Sequence, residues 1–197
     1  MSGAGKDGML AWGELKPTTI MGQMPVLRFG DGRHELVQSK AIARFLSRTS
    51  ATPEGVALYP IDDAYLAAQV DMYMDSLDEV RAKVVPSFAI ADPTEREAFR
   101  AKLFEPEGAI FQGFSKVDAQ LSGSEFLVGG KLTLADLTAF VVVNQFRSGM
   151  LDGVPKEGWL DKLPKLKTLV EKVAAVPALK AYYTQKAASN QMFAAFV

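Results

Sequence analysis

Residues 22–46, GQMPVLRFGDGRHELVQSKAIARFL, constrain the fold more than any other stretch of the chain. Pro25-Val26-Leu27-Arg28-Phe29 alternates apolar and polar, the period of a half-buried strand. Gly30-Asp31-Gly32 is a turn signal, because glycine tolerates positive φ and Asp hydrogen-bonds its own backbone. Glu35-Leu36-Val37 is a second short strand, so the pattern predicts a β-hairpin. Ser39 then stands where it can cap a helix whose body is Ala41 to Leu46. Pro25 directly after Met24 marks a possible cis peptide. Gln38-Ser39 lies at a helix N-terminus, where free N–H groups and the helix dipole favour an anion.

The remaining composition narrows the chemistry. There is no cysteine, which excludes disulfides, a thiolate nucleophile on the protein and Cys-based metal sites. His34 is the only histidine and reads as a solvated turn residue, so a Ser-His-Asp triad and His-based metal chemistry are excluded. Net charge is −1 with no basic stripe, which argues against nucleic acid as a partner. The opening MSGAGKDG lacks the apolar core of a secretory signal, and the longest apolar run, Ala139 to Val143, is far short of a membrane span. The expectation is a cytoplasmic protein with no membrane partner. Gly30-Asp31-Gly32 is a turn and no phosphate loop, because no strand–loop–helix order surrounds it.

Beyond the hairpin the period becomes helical. Residues 1–8 are small, polar and Gly-rich, and read as disordered. The spacing predicts domains over 1–48 and 61–197, joined by a Pro- and Gly-containing linker over 49–60. Leu66, Val70, Tyr73, Leu77, Val80 and Val84 form a core stripe. Asp71, Asp75 and Asp78 form an acidic stripe beside it. Pro86 breaks or kinks that helix, and Pro106 divides the helical region 93–122. Ser122-Gly123-Ser124 reads as a loop. Thr133 and Asp136 form a capping box before a helix apolar nearly all round. Pro164 and Pro177 each suit a first helical position, and SNQMFAAFV is a mildly apolar tail.

G-Q-M-P-V-L followed by Q-S-K-A-I-A-R-F-L resembles the glutathione-binding half of the thioredoxin-like domain of cytosolic glutathione transferases. Among the classes it is most similar to the sigma-like group and its alpha, mu and pi relatives. The resemblance implies an α+β chain: a partial thioredoxin-like N-terminal domain followed by an all-helical C-terminal domain. It implies glutathione as co-substrate, a small apolar electrophile as second substrate, and a homodimer. Trp12 and Lys16 match the spacing of residues that reach the glycyl carboxylate in the family, helped by Gln23. The alternative for the first two is edge packing and solvation. Met24 would clamp the cysteinyl backbone with its own N–H and C=O, aimed by a cis bond at Pro25. Gln38 and Ser39 would hold the γ-glutamyl carboxylate, the alternative being plain helix capping. Asp78 aligns with an acidic residue that faces the γ-glutamyl amine in the family, usually across the dimer interface, or else belongs to a solvated stripe.

Asp75, Asp78 and Glu79 also resemble a cation-binding cluster of some sigma-class members, but no metal ligand set is assigned here. Met72, Met74, Phe88, Met192, Phe193 and Phe196 either line an apolar second-substrate pocket or fill the core. In the family the domain begins strand–helix–strand, and a Tyr or Ser hydroxyl at the end of the first strand stabilises the glutathione thiolate. Eleven residues precede Trp12 and none matches that hydroxyl, so no catalytic residue is assigned. The expectation is a truncated product or incomplete reading of a full enzyme, whose upstream sequence would carry the Tyr. The alternative is a non-catalytic relative used for structure or assembly.

Overall fold

The structure is a computed structural model that describes residues 12–197 except 53, 54, 56 and 122. The Gly-rich segment 1–8, Ser122 of the predicted loop and part of the 49–60 linker lie outside the described residues.

The hairpin forms where its alternation predicts. β1, Val26–Arg28, and β2, Glu35–Val37, pair antiparallel, with Val26 opposite Val37 and Arg28 opposite Glu35. Asp31 Oδ1 accepts the N–H groups of Arg33 and His34 at 2.9 and 3.2 Å, which closes the turn. β2 runs straight into α1, Ser39–Thr49. Ser39 is therefore not the cap: Gln38 occupies that position at φ 74 and ψ 109, and no side chain caps the helix. A single residue has to turn the chain from strand to helix, so Gln38 takes the left-handed conformation and Ser39 is drawn into the first turn.

The rest of the chain is helical. α2, Ala64–Ala82, starts where Asp63 accepts from the Tyr65 and Leu66 N–H groups, both at 3.0 Å. It buries Val70, Tyr73, Leu77 and Val80 as the stripe predicts, and Met74 as well. A 3-10 turn at Val85–Ala89 carries Pro86, and then come α3, Pro93–Lys102, and α4, Ala109–Gln120. α5, Leu134–Arg147, is the central helix and packs on α1, α2 and α6, Pro164–Ala174. α7, Pro177–Ser189, and a 3-10 segment, Gln191–Phe196, complete the chain. That last segment is the expected apolar tail folded back: Phe196 stacks on Tyr183 at 4.7 Å and meets Phe140 edge-on. None of the described helices is long and apolar enough to cross a membrane.

The core lies between α2, α4, α5 and α6, with Phe114 stacked on Trp159 at 5.2 Å. α2 and α4 cross closely at Gly113, where a Cβ would lie 2.4 Å from Val80 Cγ2. The α5 N-terminus is held by its capping box. Asp136 Oδ2 accepts from the Thr133 N–H at 2.8 Å and the Thr133 hydroxyl at 3.0 Å, while Oδ1 accepts from the Leu127 N–H at 2.8 Å. Burial pushes the Asp136 carboxyl up, against the pull of these donors.

The acidic stripe joins the hairpin unit to the helices. Arg44 Nε reaches Asp71 at 2.6 Å and Arg44 Nη2 reaches Asp75 at 3.3 Å. Lys40 Nζ lies 3.1 Å from Asp75 and 3.3 Å from Asp78. Tyr59, 2% exposed, donates to Asp71 at 2.9 Å and accepts from Arg48 at 3.0 Å. The stripe is an interface, because α1 presents Lys40 and Arg44 to it one turn apart.

Candidate functional site

The site begins with a rim of exposed backbone. Two 3-10 turns, Lys16–Thr18 and Ile20–Gly22, lead into the hairpin. Glu35 anchors them: its Oε1 accepts the Ile20 N–H at 2.5 Å, and its Oε2 accepts from Arg28 Nε at 3.2 Å. Arg28 also donates to the Thr18 hydroxyl at 3.2 Å. The Ile20 N–H, with Arg28 beside it, holds the Glu35 carboxyl below its ordinary range. Met21 at φ 62 and Gly22 at φ 58 then turn the chain toward Gln23. The stem of Lys16 lies over Gly22, 3.5 Å from where a Cβ would stand. Trp12 is half-buried in a helical turn over 12–15, and its indole N–H has no partner among the described residues.

Two unpaired backbone features meet on this rim. The Met24–Pro25 bond is cis, and Met24 is 62% exposed. Among the described residues neither its N–H nor its C=O takes part in a backbone hydrogen bond. Across the hairpin, the uncapped N-terminus of α1 leaves the N–H groups of Ser39, Lys40 and Ala41 without acceptors. The first backbone bond of that helix runs from the Ile42 N–H to the Gln38 carbonyl. Gln38 Nε2 donates to Gln23 Oε1 at 2.6 Å, which brings the two glutamines together between these features. The arrangement offers strand-like pairing at Met24 and an anion cradle at Ser39.

A cleft of about 240 Å³ opens beside Ser39. Lys40 and Asp78 stand on one wall, and Leu137, Val141 and Gln145 of α5 on another. A second lobe of about 320 Å³ shares Asp78, Arg81 and Gln145, and is walled by Val85, Phe88 and Met150. Asp78 is half-buried and already paired, with Arg81 at 2.6 Å and Lys40 at 3.3 Å. Desolvation pushes its carboxyl up, but Arg81 and Lys40 outweigh that and hold it low.

Other candidates separate. Glu79 faces a different cavity, between α2 and α4, with Met72 and Ser76. Asp75 and Asp78 are engaged by Lys40, and among the described residues no group of three or more His, Cys, Asp or Glu is placed to hold a metal ion. The six Met and Phe candidates do not share a pocket. Phe88 walls the second lobe, Met74 lines the first, Met72 lies across α2, Met192 lines a cavity with Arg147 and Gln191, and Phe193 and Phe196 pack with Tyr183. Sequence reasoning missed Glu35 and Arg28, whose opposite charges face each other once the turn is placed. It also missed Lys40 and Arg44, whose spacing of four along α1 was the available signal.

The fold sets a hairpin and its following helix against an all-helical unit. The family described as glutathione S-transferase, C-terminal domain matches residues 78–186. A probable glutathione S-transferase 5 of Caenorhabditis elegans is 33% identical over 171 residues, covering 86% of this chain and 76% of that protein. Human glutathione S-transferase P is 30% identical over 171 residues, covering 86% and 72%. The crystal structure of monomeric Na-GST-3, a glutathione S-transferase from the hookworm Necator americanus, superimposes with a TM-score of 0.70 at 26% identity, covering 90% and 80%. The chain belongs to the glutathione S-transferase family, with a partial thioredoxin-like unit followed by the helical domain.

Proposed function

We propose that this chain binds glutathione on the rim between Met24 and Ser39 and presents its thiol to an apolar electrophile in the lobe beside Phe88. The observation that carries this reading is the pairing of an unbonded Met24 backbone with an uncapped α1 N-terminus on one rim. The cysteinyl backbone pairs with the Met24 N–H and C=O. The γ-glutamyl carboxylate sits at the Ser39 N–H and hydroxyl, beside Gln38. The glycyl carboxylate points to Lys16, Trp12 and Gln23, whose donors have room for it. Asp78 faces the γ-glutamyl amine across the dimer interface, and because Lys40 and Arg81 already partly neutralise it, its contribution is smaller than that of the rim. The units are 1–48 and 61–197 with 49–60 between them, acting in the cytoplasm as a homodimer.

Transferase chemistry needs the thiol ionised, and a nearby donor stabilises the thiolate. Among the described residues only Ser39 and Thr138 bring hydroxyls to the cleft, and Thr138 is tied to the Leu134 carbonyl at 2.7 Å. That observation favours a second reading, glutathione binding without turnover. Conjugation of glutathione to an aryl halide, followed by absorbance with the purified chain, separates the two. Saturable turnover supports the transferase. Binding without turnover supports the second reading, and absence of both rejects the site.

A further inference from the structure

Arg100, in the last turn of α3, is 2% exposed. A buried cation is stable only when it is paired and its donors are satisfied. The partners of Arg100 come from two different segments. Its Nε donates to the Ser87 hydroxyl at 2.8 Å, inside the 3-10 turn Val85–Ala89. Its guanidinium also lies 5.2 Å from the centre of the Phe88 ring. On the other side, its Nη1 donates to the Asp152 carbonyl at 3.1 Å and pairs with the Asp152 carboxylate. Arg96, one turn earlier on α3, reaches the same carboxylate at 3.0 Å and the Ile90 carbonyl at 3.4 Å. The loop that carries Asp152 is seated tightly, since a Cβ at Gly153 would stand 2.4 Å from Glu97 Cα.

The two segments that Arg100 joins are two walls of the second lobe. Val85 and Phe88 stand on one, Met150 and Leu151 on the other. Val85, Phe88 and Met150 are each more than half exposed, so core packing does not fix where they stand. Arg100 and Asp152 tie one wall to the other from behind. The Arg96 hydrogen bond, with Arg100 nearby, holds the Asp152 carboxyl below its ordinary range, so the tie is charged at neutral pH.

We propose that Arg100, acting through Asp152, is a positioning residue for the second substrate: it fixes the separation of the two lobe walls and so sets how firmly an apolar group is gripped. The proposal rests on the reading of that lobe as the place of the electrophile. Removing the Asp152 carboxylate leaves a buried guanidinium without its counter-ion. The loop then draws away from α3 to admit water, and the lobe loses one wall. None of these residues belongs to the rim at Met24, Gln38 and Ser39, so glutathione is held as before.

The test compares glutathione with S-hexylglutathione by calorimetry on the full chain. In the unaltered chain the hexyl group fills the lobe, and S-hexylglutathione binds the tighter of the two. Asp152 is exposed, so Asp152→Ala removes the counter-ion without cutting into the core. It should reduce the advantage of S-hexylglutathione roughly tenfold, about what two methylenes contribute against a wall, and leave glutathione unchanged. Asp152→Glu should restore part of that advantage, and Arg96→Gln, which leaves Arg100 paired, should reduce it less. An undiminished advantage in Asp152→Ala, or in Arg96→Gln if Asp152→Ala does not fold, would overturn the proposal. Equal weakening of both peptides would mean a purely structural role and would overturn it too, as would an unaltered chain that binds the two peptides equally. A chain that binds neither peptide refutes the glutathione rim instead. Chlorobenzene, titrated while the Met150 methyl signal is followed by NMR, then reads the lobe alone, and equal affinity in the unaltered and Asp152→Ala chains would overturn the proposal.

Discussion

Replacing Asp136 with Ala tests how the central helix is held. The carboxylate accepts two backbone N–H groups, from buried Thr133 and half-buried Leu127, and the Thr133 hydroxyl. Asp136 is 0% exposed and Thr133 5% exposed, so water cannot readily replace the acceptor lost to Thr133, while half-buried Leu127 sets the lower end of the cost. A buried donor without a partner costs about 1–3 kcal/mol, and two such donors cost about 2–6 kcal/mol. Part of this is returned, because burial already penalises the charged carboxyl. The expected net loss is about 3 kcal/mol, which for a chain of this size lowers Tm by roughly 6–12 °C. Thr133→Ala removes only the hydroxyl and keeps the N–H bond, so it should cost about 1 kcal/mol. Since both changes act on one bonded group, the double variant should cost little more than Asp136→Ala alone. Urea unfolding of the three variants measures all of these values. An Asp136→Ala loss below that of Thr133→Ala, or strict additivity of the two, would refute the reasoning.

Gly113→Ala places a methyl 2.4 Å from Val80 Cγ2 and should destabilise by about 1–3 kcal/mol, with Val80→Ala in the same chain recovering part of it in urea unfolding. Lys40→Met should cost about 0.5 kcal/mol at pH 7, because its partners are partly exposed. Lys40 lowers the Asp75 carboxyl, so this contribution exists above the ordinary Asp pKa and is lost as pH falls through the folded value. The cost of Lys40→Met should therefore shrink between pH 7 and pH 3, and at high salt, when unfolding is measured under each condition. Ser39→Ala should weaken glutathione about tenfold by calorimetry but leave cysteinylglycine, which lacks the γ-glutamyl carboxylate, unaffected.

The hairpin was legible because Pro25 to Val37 states its period and its turn locally. The α2 stripe was legible for the same reason, yet whether Met74 lined a pocket or filled the core was not, because that depends on what packs against the flank of α2. Ser39 misled because a capping preference assumes a loop before the helix, whereas here a strand ends one residue earlier. The acidic stripe read equally well as a solvated face, and only the docking of α1 makes it an interface. In the proposed site, the resemblance supplied the candidates Trp12, Lys16, Gln23, Met24, Gln38 and Ser39. The links between them, Gln23 with Gln38 and Glu35 with Ile20, run across 15 residues of sequence and leave no periodic signal. The buried Asn144 amide nitrogen, without a partner among the described residues, cannot be read from sequence, since an asparagine in an apolar helix reveals nothing about which of its hydrogen bonds are made.

Isothermal titration of glutathione into the purified chain, with cysteinylglycine as the comparison, tests the rim most directly. The geometry at Met24 and Ser39 predicts saturable binding of glutathione and much weaker binding of cysteinylglycine. No saturable heat with glutathione, or equal affinity for the two peptides, would contradict the assignment of this rim as the glutathione site.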